Sequence, residues 1–411
     1  MTTVRNSEDF SPALRAAMVG ELRELGAITS APVAEAVSKV PRHLFVPGQP
    51  LEAAYAIDQA LVIKRDEAGT ALSSLSSAHI QSVMLEQADV QPGMQVLEIG
   101  SGGYNAALLA ELVGEEGAVV SLDIDPEITE RARACLDTAG YEQVKVAVGD
   151  AEHGLPDEDA FDRIIVTAGA WDIPPAWRTQ LTPRGRLIVP LRLKGITRTI
   201  AFERDDQTDD GGDAGVLTSV SYLLSGFVAM QGDGEHHEHV IVVGDDESWG
   251  LRVDDGAPDF DVQALREALD HPPLERWSGA VFDMPDELEL FLVTSGPQMV
   301  MLHARQSLVD QGVFDASAGR GVPVLVRGDS FAYRIKRENA ELGGFESGVI
   351  AHGPHAEQVA DEYADLLRRW AHQHRRRGAA TIRYIPAGAA HSTPPHHPIP
   401  KRHGTVSVTW R

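Results

Sequence analysis

The chain has 411 residues, 43% of them hydrophobic, and its 61 Asp and Glu against 36 Lys and Arg give a formal net charge of -25. That length suits two or three globular domains, and the acidity excludes a nucleic-acid backbone as partner. No apolar run approaches the ~18 residues of a membrane span and residues 1–10 lack an apolar signal core. The single Cys135 excludes an internal disulfide and any multi-cysteine metal site. The expected setting is the cytoplasm, without membrane or nucleic acid.

Taken in order, Ser11 and Pro12 predict a helix start with Ser11 as cap, and Leu14, Met18, Leu22 and Leu25 form an apolar stripe that Gly26 ends. A second helix is expected near Pro32. The segment Val40-Pro41-Arg42-His43-Leu44-Phe45-Val46-Pro47, with prolines near both ends, reads as an irregular anchored piece. Residues 71–79 are Ser-rich and precede a helix carrying Ile80, Val83, Met84 and Leu85. They read either as an N-cap loop or as a hydroxyl-lined pocket wall.

In the stretch Gln95-Val96-Leu97-Glu98-Ile99-Gly100-Ser101-Gly102-Gly103-Tyr104, a short apolar run enters a Gly-rich turn. A helical pattern (Ala106, Leu108, Leu109, Leu112, Val113) leaves it, predicting strand, tight turn and helix. Glycine suits such a turn because a ligand has to approach bare backbone there. The next strand, 118–123, ends on Asp123, placed to accept both ribose hydroxyls of an adenosine over the first turn. Cys135 falls on the helical stretch 126–138 as a small buried hydrophobe. A third strand, 144–151, closes on Asp150, suited to an adenine amino group. Runs at 161–167 and 185–190 supply a fourth and a fifth strand. Alternating β and α periods over 90–190 predict a parallel sheet covered on both faces, with its ligand at the carboxyl ends of the strands.

Beyond this lies an acidic, Gly-containing loop at 204–215, then 217–227 as added strands of the same sheet, and a boundary at 230–234. The rest reads as a separate α+β unit with β-like runs at 288–294, 299–303, 322–327 and 330–335, and a last strand at 405–410. One long amphipathic helix is expected over 356–374, burying Val359, Tyr363, Leu366, Leu367 and Trp370. Arg368, Arg369, Arg375, Arg376 and Arg377 gather at its end, as a helix dipole favours. They read as a solvated helix end or as a basic face for a peptide. Two histidine groups (His236, His237, His239; His391, His396, His397, His403) lack fixed helical spacing and a nearby cysteine, so no metal is assigned. The expected domains are 1–90, an N-terminal helical and active-site-loop segment; 91–232, the catalytic core; and 233–411, the α+β unit.

These residues resemble the protein-L-isoaspartate O-methyltransferases, class I enzymes dependent on S-adenosylmethionine. The resemblance runs through the 40–47 segment, Ala54-Tyr55-Ala56-Ile57-Asp58, the Ser76 region and Val96-Leu97-Glu98-Ile99-Gly100. It resumes at Gly149-Asp150, at Phe161-Asp162-Arg163-Ile164-Ile165-Val166-Thr167-Ala168-Gly169-Ala170, at Ile173-Pro174-Pro175 and at Gly185-Arg186-Leu187-Ile188-Val189-Pro190, covering about half the chain. Two departures fall at the site. The family's active-site loop reads Thr-Ile-Ser followed closely by Pro, where this chain has Ser74-Leu75-Ser76-Ser77-Ala78-His79. Its glycine turn also carries one more residue.

The glycine-turn variant and the extra C-terminal unit look like a branch that modifies ribosomally made peptides such as lanthipeptides. The resemblance implies a class I methyltransferase fold (α/β, Rossmann-like doubly wound sheet) with a C-terminal α+β domain for peptide recognition. It implies S-adenosyl-L-methionine as cofactor, S-adenosyl-L-homocysteine as product, and a precursor peptide as substrate. Methylation of an aspartate carboxylate would lead to a succinimide and on to isoaspartate. Repair of damaged isoaspartyl proteins is the alternative; small-molecule methylation and a non-catalytic cofactor-binding scaffold are further readings. The implied catalytic residues are Ser76, Ser74 and His79, with a helix-start role as the other reading of His79. The implied cofactor residues are Glu98, Gly100, Ser101, Gly102, Gly103, Asp123, Ile124, Asp150, Ala151 and Thr167.

Overall fold

Five strands with apolar centres, each followed by a chain reversal, build the parallel half of a ten-stranded sheet in the computed structural model. It describes residues 10–204, 215–236, 239–253, 260–282, 285–389 and 395–411. The acidic segment 205–214, His237 and His391 lie outside them. Across the parallel half the strands are Lys145–Val148, Ala118–Asp123, Gln95–Ile99, Phe161–Val166 and Leu181–Leu193. The order reverses at Gln95–Ile99, which pairs with Ala118–Asp123 on one side (Leu97↔Val120) and Phe161–Val166 on the other (Leu97↔Ile164). That reversal opens a crevice at the carboxyl ends of the strands, where open α/β sheets bind their ligands. Helices Tyr104–Val113 and Pro126–Ala139 flank it, the second capped by Asp125 and burying Cys135.

Antiparallel strands extend the same sheet through Ile196–Arg204 and Leu217–Leu224, as expected for 217–227. It then continues into Thr381–Pro386, Gly404–Thr409 and Ile399–Pro400. These last strands therefore depart from the expectation that everything after 232 forms one unit. Tyr384 explains their return: its hydroxyl, buried in the first sheet's core, donates to Asp172 Oδ1 at 2.7 Å.

A second, seven-stranded antiparallel sheet runs in the order His239–Val242, Trp249–Val253, Met299–Ala304, Val322–Arg327, Ser330–Asn339, Gly344–His352 and Leu274–Val281. The fold is that of the class I S-adenosylmethionine-dependent methyltransferases, with an added C-terminal β-rich domain. Helix Ala356–Arg369 buries Val359, Tyr363, Leu366 and Leu367 against the second sheet, on the face its periodicity predicts. The run at 288–294 is not a strand. It lies in helix Pro285–Ser295, and its apolar side chains point both ways, Leu290 and Val293 into the first sheet's core and Leu288, Phe291 and Leu292 under Ala356–Arg369. Glu289, the one charge inside the run, is itself buried against Arg334 Nη2 at 3.0 Å, so no solvent face marks the helical period and the run reads like a buried strand.

Two local expectations also change. Phe10, not Ser11, occupies the cap of helix Ser11–Glu24, and Leu25 falls off its buried stripe at 62% exposed. Ala71–Leu75 is a strand, paired antiparallel with Leu61–Arg65, rather than a loop. Among the described residues no helix is long and apolar enough to cross a membrane.

Candidate functional site

The strand Gln95–Ile99 delivers Gly100 at φ +97, and a Cβ there would lie 2.4 Å from Thr167 Oγ1, so only glycine lets the turn sit on the neighbouring strand end. Thr167 Oγ1 lies 3.0 Å from both the Ile99 and the Gly100 carbonyl oxygens, pinning the turn from below. Asp123 holds it from the side, where Oδ2 accepts from Ser101 N at 2.8 Å and Oδ1 from Asp125 N at 3.0 Å. Burial pushes the Asp123 carboxyl up from its ordinary range, against the backbone donors that favour its charge. With backbone donors at Ser101, Asp125 and Ile124, its roughly four lone-pair sites are not all used.

Gly100, Ser101, Gly102, Asp123, Ile124, Ala151 and Thr167 line one pocket together, as the sequence suggested. The other cofactor candidates stand back from it. Gly103, at φ +82, serves the start of Tyr104–Val113, where a Cβ would meet the Phe45 ring at 3.0 Å. Asp150 caps a short turn: Oδ1 accepts from Glu152 N and Oδ2 from Asp233 N, so its neighbour Ala151, not Asp150, reaches the lining. Glu98 is wholly buried beneath the turn, with Oε2 accepting from Ser121 Oγ at 2.5 Å. Burial raises its carboxyl to about 7 despite the Ser121 and Asn105 side chains, which favour its charge. Its Oε1 makes no hydrogen bond of normal geometry among the described residues.

A second, larger cleft of about 880 Å³ adjoins this pocket, and the two share Ser74, Val228, Ala229 and Met230 as walls. Ser76 and Ser77 line the larger cleft. Ser77 accepts from Ile80 N as cap of helix Ala78–Ala88, so the capping role in this Ser-rich segment belongs to Ser77 and the Ser76 side chain is not needed for it. His79 is absent from the lining. Its backbone N–H donates to Ile57 O at 2.9 Å in the first helical turn, which favours the helix-start reading over the catalytic one.

Arg42 fixes the loop from beneath. It is fully buried, its Nε donates to Ala54 O at 2.8 Å, Nη1 to Gln81 Oε1 at 2.5 Å and Nη2 to Ser76 O at 2.6 Å. Its guanidinium also sits 4.8 Å from the centroid of Tyr104, the first residue after the glycine turn. One buried cation thus ties both pockets together.

Several lining residues escaped sequence reasoning. Val228, Ala229, Met230 and Gln231 wall the smaller pocket because the chain pairs with Gly169, whose N–H donates to Val228 O at 2.7 Å and whose carbonyl accepts from Met230 N at 3.0 Å. In sequence they look like a domain boundary. Trp171 and Arg192 line the larger cleft, with the His236 ring stacked 3.6 Å from Trp171. Asp58 and Glu235 bring acidic groups to the same cleft. Among the described residues the one cluster with three metal-ligand atoms in reach is Asp150, His153 and Asp233. It includes none of the histidines singled out in sequence, and Asp150 is already occupied as a cap.

Residues 13–223 match the model of the protein-L-isoaspartate(D-aspartate) O-methyltransferase (PCMT) family. The chain belongs to this family. It is 44% identical over 199 residues to a protein-L-isoaspartate O-methyltransferase of Methanopyrus kandleri, a match covering 48% of this chain and 84% of that one. It is 45% identical over 175 residues to protein-L-isoaspartate O-methyltransferase 2 of Archaeoglobus fulgidus, covering 42% and 76%. A solved protein-L-isoaspartate O-methyltransferase aligns over 87% of this chain and 91% of its own at 23% identity and a TM-score of 0.48. The family's enzymes are carboxyl O-methyltransferases, and this places the glycine turn, Asp123 and the Ser76 loop inside the matched region. The wall at 228–231 and the whole seven-stranded sheet fall beyond it.

Proposed function

We propose that the chain is an S-adenosylmethionine-dependent O-methyltransferase acting on the side-chain carboxylate of an aspartate in a ribosomally made precursor peptide, with a succinimide and then isoaspartate following. The observation that carries a peptide acceptor is the junction of the two pockets: a narrow glycine-floored pocket opens at Ser74 into a cleft wide enough for an extended chain segment.

The cofactor is supported on two grounds. Gly100 and Gly102 leave bare backbone at the pocket floor, and Asp123 lines the same pocket with acceptor oxygens suited to ribose hydroxyls. Ser101, Ile124, Ala151 and Thr167 would complete the pocket, and bound S-adenosylmethionine supplies an electrophilic methyl group. A carboxylate is already ionised at neutral pH, so the protein needs no strong general base. Its task is placement and exclusion of water, where proximity is worth on the order of 7 kcal/mol or more in good cases. Ser76 aims the carboxylate by hydrogen bond, Ser74 stands where the two pockets meet, and Arg42 holds the loop.

Two features favour a normal aspartate as acceptor: the altered loop Ser74-Leu75-Ser76-Ser77-Ala78-His79, and the residues beyond 223, which offer surface for selecting a peptide. The names of the relatives favour the second reading, repair of isoaspartyl proteins. The test is a pair of peptides alike except for aspartate or isoaspartate at one position, followed by mass spectrometry. A methyl gain and then loss of methanol on the aspartate peptide supports the first reading; methylation confined to the isoaspartyl peptide replaces it with repair.

A further inference from the structure

One wall of the larger cleft is built from Thr197 and residues 226–228, at the start of strand Ile196–Arg204 and just past the end of Leu217–Leu224. Beside Thr197, Arg198 is fully buried although it carries a charge. Its Nη1 donates to Thr197 O at 3.0 Å, and the same carbonyl accepts from Ser225 N at 3.5 Å. Thr199 Oγ1 donates to Ser225 Oγ at 2.8 Å, so the two strand ends that carry the wall are tied together around Arg198.

The other arm of the guanidinium leaves the first sheet. Nη2 donates at 2.5 Å to Asp286 O in helix Pro285–Ser295, which packs on the second sheet and contributes no residue to either pocket. Burial pulls the guanidinium below its ordinary range, and the carboxylates that oppose this, Glu289, Asp286 and Glu287, all sit on that helix. Two of them are themselves held. Glu289 pairs with Arg334 Nη2 of the second sheet at 3.0 Å, and Glu287 Oε2 accepts from the Tyr222 hydroxyl at 2.9 Å. Tyr222 lies on Leu217–Leu224, the strand that leads into the wall, and its oxygen accepts from Ala380 N at 2.7 Å. A buried cation deprived of its counter-charges is strongly destabilised, so the wall is only as fixed as the grip of this helix.

We propose that Arg198 is a positioning residue for the acceptor: gripped by helix Pro285–Ser295, it sets the wall formed by Thr197 and residues 226–228, and through it the added domain acts on acceptor binding without touching the acceptor. The inference rests on the larger cleft receiving the acceptor, whether aspartyl or isoaspartyl. Arginine suits the place because its planar fork spans carbonyl oxygens on two different elements, which a single ammonium does not. Coupling of this kind is reciprocal, so an acceptor that fills the cleft also steadies the helix.

Steady-state kinetics at saturating S-adenosylmethionine test it, with whichever of the short aspartyl and isoaspartyl peptides the full chain methylates faster. Arg198→Met, an apolar replacement for a buried charge, is expected to raise KM for the peptide about tenfold, with kcat and affinity for S-adenosyl-L-homocysteine within about twofold of wild type. Arg198→Lys, which keeps the charge but not the fork, is expected to recover part of that loss. If Arg198 only supports the fold, its substitution lowers the melting temperature and leaves the KM of the folded protein unchanged; that result overturns the proposal. Hydrogen exchange on the wild-type chain covers the case of misfolded variants. Saturating peptide together with S-adenosyl-L-homocysteine is expected to slow amide exchange in helix Pro285–Ser295 about threefold or more, and unaltered exchange there overturns the proposal as well. A wild-type chain that methylates neither peptide removes the acceptor reading of the cleft, and this inference with it.

Discussion

Arg42 Nη2 donates to the carbonyl oxygen of Ser76 at 2.6 Å, joining a wholly buried cation in the 40–47 segment to the loop between the two pockets. The same guanidinium serves Ala54 O and Gln81 Oε1, so Arg42→Met strands three acceptors at about 1–3 kcal/mol each and lowers the melting temperature sharply. Arg42→Lys keeps the charge but not the planar fork. The lysine variant is expected to fold, to bind S-adenosyl-L-homocysteine within about twofold of wild type, and to lose kcat more than KM. A kcat equal to wild type in a folded Arg42→Lys protein removes the positioning role.

Adjacent serines separate structure from chemistry. Ser77→Ala removes the cap of Ala78–Ala88 and should cost about 1 kcal/mol of stability in thermal unfolding, with turnover largely kept. Ser76→Ala should leave stability and cofactor affinity unchanged and abolish most methyl transfer. The reverse pattern would exchange the two assignments.

The Gly100 turn, Asp123 and the parallel strands around Gln95–Ile99 were legible in sequence because each local signal, apolar strand, φ-permissive turn and helix stripe, points the same way. The second half was less so where burial erases periodicity: Pro285–Ser295 sends Leu290 and Val293 to one core and Leu288, Phe291 and Leu292 to the other, so its apolar residues fall on two sides and blur the 3.6-residue period. Ala71–Leu75 hid for another reason, its strand being set by pairing with Leu61–Arg65 rather than by β-prone residues. The wall at 228–231 and the return of Thr381–Pro386 to the first sheet depend on partners far away in the chain. No local pattern encodes such contacts.

Asp123 and Asp150 looked equivalent as acids closing neighbouring strands, yet only Asp123 lines the pocket. Asp123→Ala should weaken S-adenosyl-L-homocysteine by roughly 1.5–3 kcal/mol, since a hydrogen bond to a charged group is lost. Asp150→Ala should act mainly on stability, because its oxygens hold Glu152 N and Asp233 N. Calorimetric titration of both variants checks this, and equal losses of affinity would return Asp150 to the site.

Glu98 carries a pH signature that belongs to no exposed carboxylate. Its ordinary value near 4.5 rises to about 7 in the fold, chiefly through burial. Between those values the folded chain holds a proton that the unfolded chain has released, so stability falls as pH rises. The contribution is fully present below about 4.5 and is lost through about 7, a change of roughly 3 kcal/mol when each pH unit between the two values counts for ~1.4 kcal/mol. Glu98→Gln cannot titrate and keeps an acceptor for Ser121 Oγ. Without cofactor, the difference in unfolding free energy between variant and wild type should therefore be smallest near pH 4 and should grow in favour of the variant up to about pH 7.5. Denaturant unfolding at several pH values measures it, and taking the difference removes the titrations common to both proteins. A difference independent of pH would mean that Glu98 is ionised throughout, and that the buried oxygens under the glycine turn are better solvated than their surroundings indicate.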